Sequence, residues 1–162
     1  MINLILISLL GFTGSIFGVI LKRIAQEEIG PGKKYFNIMQ RLFLFILLVA
    51  FLYHIKLGIF SIILFIIGYL ISSLVRYKYL YLGIASALSL LINSEFPLLV
   101  NSIIFLYGLP YGSLLKNNNK LIQNLILYII PLVSLLIKTQ LIDVQSYLFA
   151  FIAGSLFPKR SP

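Results

Sequence analysis

Cysteine is absent from the chain, tryptophan is absent, histidine occurs once and acidic residues only four times. Each shortage excludes something. Without cysteine there is no disulfide, no thiolate metal site and no cysteine nucleophile. One histidine cannot make a bis-histidine haem site, and one aspartate, Asp143, cannot supply the paired aspartates of an intramembrane aspartyl enzyme. Charge of either sign is scarce too: 10% of residues are charged and 60% hydrophobic. Soluble domains carry about 25% charged residues, so these 17 charges, 13 basic and 4 acidic, cannot clothe a water-soluble exterior. Lipid is the expected solvent for most side chains.

Apolar runs fill the rest. A helix crosses a hydrocarbon core with about 20 apolar residues, within a range of about 17 to 25. The candidate spans are Ile2 to Leu21, Phe36 to Ile55, Leu57 to Val75, Tyr79 to Ile92, Pro97 to Leu115, Leu121 to Ile137 and Leu141 to Phe157. The expected fold is therefore all-α, a polytopic transmembrane helix bundle of about seven spans forming one membrane domain over 1–162. Six spans plus a re-entrant segment is the alternative, with the short fourth run, YLYLGIASALSLLI, as the exception.

The connections supply an orientation signal that does not depend on hydropathy. With seven spans, alternate connections hold Lys22, Arg23, Lys33, Lys34 and Arg41, then Arg76 and Lys78, then Lys116 and Lys120, then Lys159 and Arg160. That places 11 of the 13 basic residues on one side and only Lys56 and Lys138 on the other. By the positive-inside rule the N-terminus is outside and the C-terminus cytoplasmic, in a multi-pass protein of the cell membrane.

The longest hydrophilic stretch, 22–41, reads as a cytoplasmic, interfacial hinge broken at Gly30-Pro31-Gly32. Its Lys22, Arg23, Glu27, Glu28, Lys33, Lys34 and Arg41 are the candidate binders of anionic lipid headgroups or of a partner. The net charge of +9 does not imply nucleic acid, because the basic residues sit in short clusters between apolar runs rather than on a soluble face. No cofactor is expected. A homo-oligomer or a membrane-protein partner is compatible with the short loops.

Two further groups stand out. In the first span Gly11, Gly14, Ser15 and Gly18 repeat at four-residue spacing, which puts small residues on one helix face for close helix packing. In the fifth span Asn101, Tyr107, Gly108, Pro110 and Tyr111, joined by Asn124 of the sixth, form the candidate substrate pathway, with Pro110 expected to kink or unwind its helix. Of the deeper tyrosines, Tyr69, Tyr107, Tyr111 and Tyr128 should face the bundle to find hydrogen-bond partners, whereas Tyr79 should mark an inner interface.

Motif comparisons assign no family. The Glu27-Glu28 pair has Gly32 where the glutamate pair of intramembrane CAAX-type proteases is followed by arginine. The segment Gly14-Ser15-Ile16-Phe17-Gly18 faintly resembles the opening motif of seven-span glycerol-phosphate acyltransferases but lacks its proline and the family's glycine-asparagine phosphate loop. Seven spans also permit the parallel-repeat topology of SWEET-type sugar carriers, whose proline-glutamine signature is missing. With no ionisable group near a predicted midplane, the expected function is a small carrier or channel component for a neutral or weakly polar solute. The alternatives are a non-catalytic accessory or assembly subunit of a larger membrane complex, and then a lipid-modifying membrane enzyme; the enzyme reading is the weaker one.

Overall fold

The computed structural model describes residues 2–55, 58–75, 77–92, 95–115, 117–136 and 145–157, without the side chains of 2–5, 118, 134–136 and 145–146. Lys56, Arg76, Lys116, Lys138, Asp143, Lys159 and Arg160 lie outside the described residues, so part of the charge pattern has no structural counterpart here.

Seven helices and no strands occur among the described residues: α1 (Ile2–Ile24), α2 (Gln26–Tyr53), α3 (Ile59–Leu74), α4 (Lys78–Ser89), α5 (Glu95–Leu114), α6 (Asn118–Leu136) and α7 (Gln145–Ser155). Three of them are long and apolar enough to cross a membrane: α1 from Leu6, α2 and α5. The apolar helix α3 and the Asn119–Val133 part of α6 are shorter. Large apolar side chains such as Leu10, Phe17, Phe45, Phe60, Leu98 and Ile126 stand exposed on the outside, and together with the three long helices they indicate membrane association.

The tightest pairing is α1 against α5, and α3 against α7 comes next. Both are made by glycine. A β-carbon on Gly14 would fall on the Phe105 carbonyl, one on Gly18 on the Leu109 carbonyl, and one on Gly112 on the Ser15 carbonyl. No rotamer change relieves a clash with backbone, so only glycine lets these axes approach so closely. Gly68 of α3 and Gly154 of α7 repeat the arrangement against the Phe151 and Phe65 carbonyls.

Three features of the chain depart from expectation. Gly30, Pro31 and Gly32 are helical inside α2, and the chain bends instead at Ala25, whose φ of −114° and ψ of 46° separate α1 from α2. Pro31 sits near the start of α2, where it removes one ladder bond, and the first turn carries Glu27 and Glu28, which suit the positive end of the helix dipole. The fifth helix is continuous through Pro110, with no unwound stretch. Finally, α4 is only 12 residues long, about 18 Å at 1.5 Å per residue. It is too short to cross about 30 Å of hydrocarbon by itself. Tyr79, Tyr81, Leu82, Gly83, Ala85, Ser86, Ala87, Leu88 and Ser89 are all buried, so protein rather than lipid surrounds it.

Replacing Gly14 with leucine is expected to cost at least about 2 kcal/mol, the overpacking range, while Gly30→Leu, where a β-carbon meets nothing, is expected to be nearly neutral. Thermal unfolding of the two variants in detergent checks the difference.

Candidate functional site

Among the described residues no charged side chain is buried, whereas a set of uncharged polar groups is. Arg23, Glu27, Glu28, Lys33, Lys34 and Arg41 are exposed along the end of α1 and the first half of α2. Lys22 is half-buried and donates from Nζ to the Leu115 carbonyl just past the end of α5, where the negative end of that helix favours a cation. Lys78, the first residue of α4, titrates below the ordinary lysine range, chiefly because the surrounding helix ends desolvate its ammonium and secondarily because the positive charge of Arg41 opposes its protonation. Arg41 and Lys78 thus share one corner of the fold although 37 positions separate them in the chain.

The interior holds two tiers of hydrogen bonds. Asn101 is the hub of the first and is 3% exposed. Its Nδ2 donates to the Pro97 carbonyl at 2.8 Å, and its Oδ1 accepts from Ser86 Oγ at 2.7 Å and from the Tyr128 hydroxyl at 3.1 Å. Tyr128 has one proton to give, and its 2.8 Å contact with the Ser8 carbonyl is the shorter of its two. Four helices, α1, α4, α5 and α6, meet at these groups.

The second tier lies beyond it toward Lys22. Tyr79 reaches from α4 to bond Ser15 of α1, and its ring meets those of Tyr111, Tyr107 and Phe12 with centroids 4.9, 6.1 and 5.4 Å away. Tyr107 and Tyr111 stack at 5.8 Å, and Asn124 Nδ2 donates to the Tyr111 hydroxyl at 3.0 Å. Ser113 Oγ lies 2.9 Å from the Leu109 carbonyl and 3.1 Å from the Gly18 carbonyl and shares its one proton between them, which ties α5 back to α1.

The candidate pathway residues therefore divide. Asn101, Tyr107, Tyr111 and Asn124 converge on this polar interior. Gly108 faces the backbone of Gly14 and Ser15 in the helix crossing, and Pro110 is buried within a continuous helix, so neither borders an open passage in this conformation. Gly11 places its open side beside Asn101 and the Tyr128 hydroxyl. Ser15 does more than pack, because it holds Tyr79. Tyr69, expected to face the bundle, is instead 40% exposed on α3, edge-on to Phe157 at 5.7 Å, since α3 presents little besides its Ser61 and Gly68 edge to the rest of the fold.

Tyr79, Ser86 and Tyr128 were not anticipated as site residues. The density of small residues in 83–89 was the one available signal that α4 is enclosed by other helices, which would have moved Tyr79 from the interface to the interior.

Two hydroxyls, those of Tyr81 and Tyr107, are buried without a hydrogen-bond partner among the described residues. An apolar groove of about 480 Å³ runs along the outer flank of the α1–α5 crossing, between Leu10 and Phe17 on one side and Leu98 and Phe105 on the other. No group of three or more His, Cys, Asp or Glu side chains that could hold a metal exists among the described residues. No family model, no curated protein and no solved structure matches the chain.

Removing the Tyr128 hydroxyl, as in Tyr128→Phe, is expected to destabilise the bundle by about 1 kcal/mol, the scale of an interhelical hydrogen bond in a membrane protein. Chemical denaturation in mixed micelles measures it, and an unchanged midpoint would remove Tyr128 from the network.

Proposed function

We propose that the chain is a multi-pass integral membrane protein of about seven spans, N-terminus outside and C-terminus cytoplasmic, acting as a small carrier or channel component for a neutral or weakly polar solute. The observation that carries this reading is the interior seam of uncharged donors and acceptors, Ser8, Ser15, Tyr79, Ser86, Asn101, Tyr107, Tyr111, Asn124 and Tyr128, running along α1, α4, α5 and α6. Polar groups are costly inside a bilayer and mark function when they line a route. Without a carboxylate in the seam, ion coupling has no carrier, and a neutral solute is the better match. In the present conformation the route is closed by α1, so passage requires α1 to shift against α5. The basic residues at 22–41 hold the cytoplasmic face on anionic lipid headgroups.

The position of α3 favours a second reading, that of an accessory or assembly subunit. Among the described residues its pairing is almost entirely with α7. Ile59, Phe60, Ile62, Ile63, Ile66 and Leu70 face outward, as a surface for another membrane protein would.

Three measurements separate these ideas. A reporter fused to the C-terminus is expected to be active only in the cytoplasm, and activity on the outer side would reverse the orientation. Purified protein in liposomes is expected to release a neutral polyol faster than empty liposomes; no release at all would end the carrier reading. Mass measurement after gentle extraction is expected to give a particle free of other proteins, whereas a stoichiometric second protein would favour the assembly reading.

A further inference from the structure

The hydroxyl of Tyr107 is unexplained by the packing around it. The residue is 1% exposed, its hydroxyl has no partner, and the neighbouring tyrosines are already engaged, Tyr79 with Ser15 and Tyr111 with Asn124. An unpaired buried hydroxyl costs roughly 1–3 kcal/mol, so such a group is retained where something else satisfies it.

An uncharged polar side chain lies on α2 at the same level. Gln40 is the first buried residue of α2 and is only 8% exposed. The register of α2 against α5 brings the two together. Phe51 and Phe96 touch, with ring centroids 5.5 Å apart, and fix the level at which these helices meet. Gln40 precedes Phe51 by 11 residues and Tyr107 follows Phe96 by 11 residues. Eleven residues are close to three full turns of α-helix, so each returns to the face of its phenylalanine about 16 Å further along. The two helices run in opposite directions, so both displacements lead toward the same end of the bundle. Leu44, Leu47 and Leu48 on α2 and Val100, Ile103 and Ile104 on α5 are buried between the two levels, as a shared face requires. Arg41 follows Gln40, and Lys78 is close enough to Arg41 to feel its charge and adjoins Tyr79, whose ring contacts that of Tyr107. On this register Gln40 of α2 comes to the level of Tyr107 on α5, whose ring contacts Tyr79 of α4.

We propose that Gln40 and Tyr107 form a binding site for a small neutral molecule bearing a hydroxyl or carboxamide, entered from the cytoplasmic side past Arg41 and Lys78. The site deepens the carrier reading, on which its role as a solute station rests, but binding there stands or falls by itself. Both groups donate and accept, neither is charged, and a hydroxyl or carboxamide on the ligand answers both. A carboxylate or phosphate could accept from both groups but donate to neither, and would give up its hydration in an interior that offers it no opposite charge. The flanking cations lie at the mouth, where water reaches them.

Thermal unfolding of the full-length protein in nanodiscs, titrated with glycerol, tests the site in three forms: wild type, Tyr107→Phe and Gln40→Leu. Without glycerol, Tyr107→Phe is expected to raise the midpoint by about 2 to 4 °C, because it removes an unpaired hydroxyl without changing shape. Glycerol is expected to give wild type a saturable upward shift that both variants lack, over a small linear rise common to all three from its exclusion at the protein surface. Urea at low concentration serves as the carboxamide probe and inorganic phosphate as the charged one. An identical, non-saturating response in all three forms would overturn the site, and so would a saturable shift with phosphate but with neither neutral probe. Flux distinguishes the two claims: a saturable shift confined to wild type, with no glycerol release from liposomes, upholds the site and ends the carrier reading. Release by wild type with no variant-dependent shift does the reverse.

Discussion

The close approach of α1 to α5 is the constraint on which the interior depends. Gly14 and Gly18 on one helix and Gly108 and Gly112 on the other leave backbone facing backbone, with no side chain between them. Only at that separation can Ser113 reach the Gly18 carbonyl and Lys22 reach the end of α5. The same proximity sets Gly11 against Asn101 and brings the Ser8 carbonyl within reach of Tyr128. A bilayer gives no hydrophobic push between apolar helices, so contact area and interhelical hydrogen bonds must provide the association. Here the glycines provide the first and make the second possible.

The polar interior follows from that crossing and from α4. A helix of 12 residues would be a poor span on its own, but enclosed by α5, α6 and α7 it carries Tyr79, Ser86 and Ser89 into the interior. Its small residues let neighbours close around it: a β-carbon on Gly83 would fall against the backbone of Tyr128. Among the described residues the outcome is a core of tyrosines, serines and asparagines with no carboxylate in it, ringed by exposed leucine, isoleucine and phenylalanine. The described basic residues stay outside that core, so charge and neutral polarity are separated in space.

Much of this was legible in the residues. Scarce charge and long apolar runs implied an all-helical chain with helices of membrane-crossing length, and each candidate span has a helix within it or overlapping it, although α4 and α7 are much shorter than a membrane needs. The spacing of Gly11, Gly14, Ser15 and Gly18 identified a packing face, because four-residue periodicity is a local property of a helix. What such a face packs against is a tertiary fact, so Gly108 looked like part of a helix break when it is the other half of the crossing. The Gly30-Pro31-Gly32 string looked like a stop, yet near a helix start the lost proline bond is small and α2 continues through it. Tyr79 was misplaced for a related reason. Its neighbours in the chain, Tyr77 and Lys78, are exposed, but one residue further on the helix turns the ring inward to Ser15.

We propose that α1 closes a polar interior against α5 and that movement between them governs access. Phe17 and Phe105 meet edge to face on the outer flank of that crossing, with centroids 6.1 Å apart. Because the chain has no cysteine of its own, the double variant Phe17→Cys, Phe105→Cys can be cross-linked without background. The decisive measurement is the release of glycerol from liposomes carrying this variant, oxidised and then reduced. Cross-linking is expected to occur efficiently and to stop release until the disulfide is reduced. Release that is equally fast in the oxidised and reduced forms would contradict the account.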